Sequence, residues 1–154
     1  LGLLAVMAWA IGWRRPARDD GRRGLHYGLV LLGMMLLNQR AWDHHAAVLL
    51  PAGVAVWYAL AYGRLGRGVR IGCLAGTIAA TAGFWLMGKS LFDLVIRDEE
   101  KAQRTAELVE AYGPTFACLA ILFAVTVILL AALRRTARAG EPVFAESRIP
   151  LSRG

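Results

Sequence analysis

Residues 115–133 read TFACLAILFAVTVILLAAL, nineteen positions without one charged side chain. At 1.5 Å rise per residue this run makes a helix of about 28 Å, close to the ~30 Å hydrocarbon thickness of a bilayer. It is read as a membrane span, and the rest of the chain follows from it. Residues 69–88, uncharged beyond Arg70, give a second span of similar length. Residues 46–62 are also uncharged but contain Pro51, which removes a backbone donor and kinks a helix in a way that membrane helices tolerate. Residues 25–37 make a fourth apolar stretch only about 20 Å long as a helix, and Leu1–Trp13 a fifth that starts without an initiator Met and without the basic segment of a signal peptide. The last is read as a truncated span, so the expected fold is all-α: a polytopic transmembrane bundle of about five helices, the first incomplete. Composition agrees, with 57% hydrophobic residues and a mean hydropathy of +0.47, above the roughly 45–50% apolar share of soluble domains.

Charge then orients the bundle. Segments 14–23, 64–70 and 134–154 hold thirteen of the eighteen Lys and Arg residues against four acidic ones, a net +9. The alternating segments 38–45 and 89–114 hold five basic and seven acidic residues, a net −2. Because Lys and Arg in short loops stay cytoplasmic, the second set is expected outside, with the C-terminus in the cytoplasm. The same distribution removes nucleic acid as a partner: the pI of about 10.2 comes from arginines spread over three loops, not from one basic face.

Between the spans 25–37 and 46–62 sits a polar knot of Asn38, Gln39, Arg40, Trp42, Asp43, His44 and His45. Ionisable groups beside hydrocarbon are costly and mark functional candidates. The shortness of 25–37 would sink this knot below the outer interface and make a recessed pocket. Arg40 can clamp a phosphate through its guanidinium fork or snorkel outward. His44 and His45 suit phosphate recognition or acid–base work, or hydrogen bonds to headgroups. A shared metal is disfavoured, since neighbours on a helix diverge by about 100°. Asp43 can orient an imidazole, act as a base or cap the helix that starts there. Lys89 and Asp93, on the same outer side, are weaker candidates for a sugar or phosphate contact, and His26 and Tyr27 fall at the inner end, across the membrane from the knot.

The remaining features are structural. Residues 97–112 are rich in helix formers and pair Glu100 with Arg104 at four-residue spacing, which predicts an external amphipathic helix. Gly72, Gly76, Ala79, Ala80 and Gly83 give the 69–88 helix a small-residue face for close packing. Trp57, Tyr58, Tyr62 and Trp85 are read as interface aromatics or bundle packing. Cys73 and Cys118 lie inside spans without metal or redox spacing and are read as packing residues with no disulfide. Neither a metal nor another cofactor is expected. Domain organisation is then a membrane part, 1–133, followed by a flexible basic cytoplasmic tail, 134–154.

The run Leu-Leu-Asn-Gln-Arg-Ala-Trp-Asp-His-His-Ala-Ala-Val-Leu-Leu-Pro (36–51), an external polar turn leading into a Pro-containing span, resembles the late transmembrane region of glycosyltransferase family 87, in the GT-C superfamily. The charged segment before Ala-Tyr-Gly-Pro-Thr-Phe (111–116) is similar to some members as well. The resemblance implies a C-terminal part of an integral membrane hexosyltransferase, expected in a bacterial plasma membrane, which takes a hexose such as mannose from a polyprenyl-phosphate donor and passes it to an extracytoplasmic lipid or glycan acceptor. It also implies that Arg40 with His44 or His45 holds the donor phosphate, that Trp42 lies against lipid or sugar, that Asp43 orients a histidine, and that the catalytic base belongs to an upstream external loop. The alternatives are a transporter and a non-catalytic membrane subunit. A transporter would carry polar groups near the midplane, whereas here they cluster at one surface.

Overall fold

The computed structural model describes residues 2–12, 22–37, 42–86 and 114–144, with backbone alone at 42–48, 85–86 and 114–115. Five helices carry these residues: α1 (Gly2–Ile11), α2 (Arg22–Leu37), α3 (Trp42–Tyr62), α4 (Arg67–Leu86) and α5 (Pro114–Arg138). No strand occurs among the described residues, apart from an isolated antiparallel bridge between Gly63 and Phe144. The fold is all-helical. Pro114 opens α5, where the missing N–H would have had no intrahelical partner.

The longest apolar helix lies at the centre. α5 packs against each of the other four, and its Leu119, Leu129, Leu130 and Leu133 are buried together with Leu25, Leu29 and Leu32 of α2 and Val56 and Ala59 of α3. Small residues set the helix spacing. A Cβ placed on Gly28 would lie 3.1 Å from Ala52 Cα, and one on Gly24 would lie 3.4 Å from Ala55 Cβ, so α2 and α3 run antiparallel in near backbone contact. A Cβ on Gly76 would meet Val125 at 2.9 Å and one on Gly83 would meet Cys118 Sγ at 2.5 Å, which sets α4 antiparallel to α5. The small-residue face of α4 is therefore narrower than the sequence suggested. Gly76, Ala80 and Gly83 turn toward α5 with Cys73 and Thr77, whereas Gly72 has nothing within 4 Å and Ala79 is exposed.

Buried hydroxyls are satisfied inside their own helices: Thr77 Oγ1 donates to the Cys73 carbonyl and Thr126 Oγ1 to the Leu122 carbonyl, both at 2.8 Å. This four-residue back-bond lets a polar side chain sit in an apolar core without an orphaned donor. Cys73 and Cys118 are free and buried.

Three expectations change. α2 starts at Arg22, three residues before the apolar run, and its sixteen residues span about 24 Å, so the shortness that argued for a recessed pocket is reduced. Among the described residues one helix, Phe116–Arg138, is long and apolar enough to cross a membrane; Gly2–Ile11 and Leu49–Tyr62 are shorter apolar helices, and α4 begins with Arg67 and Arg70. The stretch from 134, expected as a flexible tail, is folded as far as Phe144. α5 continues through Arg138, and the chain then turns back so that Arg64 N–H donates to the Val143 carbonyl at 2.9 Å, Thr136 Oγ1 donates to the Arg64 carbonyl at 3.3 Å, and the Phe144 ring lies 5.4 Å from that of Tyr58. Backbone pairing with the α3–α4 loop holds this segment, a cause that leaves no periodic mark in the sequence. The helix expected over 97–112 lies outside the described residues, as do 145–154.

The outer surface is apolar. Tyr27, Val30, Met34 and Leu37 form an exposed stripe on α2, Leu50, Val54, Trp57 and Tyr58 another on α3, and Ile71, Leu74 and Ile78 a third on α4. Helices with apolar residues both inward and outward lack the polar face of a water-soluble bundle.

Candidate functional site

The alternating helix directions gather like features at opposite ends. At one end meet the start of α2, the α3–α4 loop and the finish of α1 and α5. Every charged side chain described lies here: Arg22, Arg23, Arg64, Arg67, Arg70, Arg134, Arg135, Arg138 and Glu141. Trp9, Tyr27, Trp57, Tyr58 and Tyr62 form an exposed aromatic set within about two or three turns of this end.

The other end carries the polar knot. Arg40 lies outside the described residues, as does Lys89 with Asp93. Trp42, Asp43, His44 and His45 form the first turn of α3; their backbone is helical and their side chains lie outside the described residues. Since the helix starts at Trp42, position 43 falls inside the first turn instead of ahead of it. His26 and Tyr27 stand in the second turn of α2, at the arginine end, about 16 Å of helix from Leu37. This agrees with the separation expected between them and the knot.

Two cavities lined by described residues open at the arginine end. One, of about 270 Å³, lies between the ends of α1 and α5 and is lined by Ala8, Trp9, Ala10, Gly12, Ala131, Arg134, Arg135 and Arg138. The second is wider and open, bounded by the α3–α4 loop, Arg70, Thr136 and Glu141. Arg70 is already engaged there, donating through Nη2 to the Gly63 carbonyl at 2.8 Å.

The first cavity is built by the way α1 stops. Gly12 takes φ +76° and its N–H donates to the Ala8 carbonyl at 2.9 Å, the left-handed closure that glycine permits. A Cβ at Gly12 would stand 3.0 Å from the Arg134 guanidinium carbon, so the bare glycine makes room for that side chain. Arg134 Nη1 donates to the Trp9 carbonyl at 2.9 Å, satisfying one of the acceptors left at the helix end. The sequence reading took these arginines as topology signals alone. Their convergence with Trp9 and Gly12 is tertiary, across more than 120 residues of chain, and the one local signal for it was the Ile-Gly step that ends the first apolar run.

No family model, curated protein or solved structure matches the chain. Among the described residues no group of three or more His, Cys, Asp or Glu side chains could hold a metal ion.

Proposed function

We propose that the chain is the membrane-embedded helical part of a polyprenyl-phosphate-dependent hexosyltransferase, with α2–α5 spanning the bilayer, the arginine end in the cytoplasm and the knot outside. The membrane half of this reading is carried by one observation: α2, α3 and α4 expose apolar stripes along their lengths while the described charges sit at one end beside exposed Trp and Tyr. Apolar surface of this continuity exceeds what a soluble monomer presents. A cationic end with an aromatic belt is the pattern of a cytoplasmic interface.

The transferase half rests on the likeness of residues 36–51 to family 87. In that chemistry an acceptor hydroxyl attacks the anomeric carbon, a base takes the hydroxyl proton, and the bond from that carbon to the phosphate oxygen breaks with polyprenyl phosphate leaving. Arg40 with His44 or His45 would hold the phosphate as its charge develops, Asp43 would orient a histidine, and Trp42 would lie against lipid or sugar. Lys89 is the further candidate for the sugar. Full-length protein in membranes, given labelled polyprenyl-phosphate hexose, is expected to transfer label to lipid or glycan. Arg40→Ala and a His44→Ala, His45→Ala pair are expected to lower transfer by at least tenfold, since charge-assisted hydrogen bonds are worth about 1.5–3 kcal/mol each. Normal function of the full-length protein with all three replaced would instead favour a non-catalytic membrane subunit.

A further inference from the structure

The cavity between the ends of α1 and α5 has a chemistry of its own. Three arginines are among the residues that line about 270 Å³, and no acidic residue is among them. Arg134 spends one donor on the Trp9 carbonyl, while no described residue pairs with Arg135 or Arg138. Arginines in the last turn complement the negative end of α5. That role does not require three of them around one hollow, where they repel each other unless an anion lies between. The rest of the lining is apolar and small: Ala8, Ala10 and Ala131. Trp9 is 61% exposed at the rim, and Val6, three residues back on the same side of α1, continues the exposed apolar surface for about 4.5 Å toward the middle of the bundle. The volume is below the ~300 Å³ at which pockets for whole small ligands begin, so it suits a headgroup and not an entire lipid.

We propose that this cavity binds the phosphodiester headgroup of an anionic glycerophospholipid from the cytoplasmic leaflet, with one acyl chain lying along Trp9 and Val6. The proposal rests on the membrane placement above and is independent of the transferase chemistry. Guanidinium forks match two phosphate oxygens at once, which a single ammonium cannot do. The indole sits at headgroup depth, where its ring is half in hydrocarbon and its N–H in the polar layer.

The test uses the full chain reconstituted in vesicles of phosphatidylcholine alone or with an equimolar share of phosphatidylglycerol, flotation to score insertion, and native mass spectrometry to count retained lipid. The chain is expected to float with both vesicles and to retain phosphatidylglycerol in preference to phosphatidylcholine. Arg135→Gln with Arg138→Gln, which leaves the Arg134 bond to α1 intact, is expected to reduce that preference by about fivefold per arginine. Arg64→Gln with Arg67→Gln removes equal charge from the same end outside the cavity and is expected to have a smaller effect. An equal loss from both pairs would mean a diffuse surface potential and would overturn the site. Displacement of phosphatidylglycerol by millimolar inorganic phosphate would overturn the lipid as its occupant. Flotation with no phosphatidylglycerol preference would overturn the proposal alone, and failure to float with either vesicle would overturn the membrane placement with it.

Discussion

Gly83 and Gly12 show how much of this structure depends on single missing side chains, for different reasons. At Gly83 the constraint is space: α4 approaches α5 so closely that a Cβ would meet Cys118 Sγ at 2.5 Å. Gly83→Val is expected to push the helices apart at a cost of about 1–3 kcal/mol, the range for overpacking a filled core. Thermal unfolding in detergent checks this, with Gly72→Val, where nothing lies within 4 Å, as the comparison expected to stay near the parent midpoint. At Gly12 the constraint is backbone conformation as well as the guanidinium above it. Gly12→Ala places an L-residue at φ +76°, a strain of about 1–2 kcal/mol, and crowds Arg134. The same melt should show a lower midpoint, and Arg134→Ala, which frees the Trp9 carbonyl, should lower it through the other half of the contact.

At the scale of elements, α3 separates a membrane helix from a soluble one. Leu50 and Val54 are 70% and 67% exposed on a face opposite to Val56 and Ala59, which are buried. In water Val54→Lys would be neutral or would improve solubility. Placed in hydrocarbon near the centre of a span, Lys costs about 2.5–3.5 kcal/mol on insertion scales. Resistance of the variant to alkaline carbonate extraction should therefore fall against the parent, and no change would argue that this face never meets lipid. The helices themselves were legible because apolar runs mark them: 46–62, the described part of 69–88 and 115–133 are all helical, extended to Trp42, Arg67 or Arg138 at their ends. The end of α5 was not legible. Gly63 and Phe144 meet through backbone pairing and a Tyr58–Phe144 ring contact, worth about 0.5–1.5 kcal/mol for the rings, and neither follows from local spacing. Nor could sequence alone tell that Ala79 and Gly72 turn away from α5, because every small residue on α4 satisfies the same rule of composition.

For the whole molecule, the sequence showed arginines in alternate segments, and the alternating helices bring the described parts of those segments to one end. The meeting of Arg134 with Trp9, at a cavity that Arg135 and Arg138 also line, was hidden, since it needs the end of the last helix beside the end of the first. The knot at 38–45 was read as chemistry from its residue types alone, and the backbone described there, 42–45, forms the first turn of α3. Its placement outside the membrane remains the foundation of both the transferase reading and the lipid site. Cysteine labelling in intact cells addresses that placement directly. In a background with Cys73→Ala and Cys118→Ala, single His45→Cys and Arg138→Cys variants are exposed to a membrane-impermeant maleimide. The expected result is that the position-45 variant labels in intact cells and the position-138 variant labels only after permeabilisation. Labelling of position 138 in intact cells, with position 45 protected until the membrane is opened, would contradict the orientation and with it the assignment of either end.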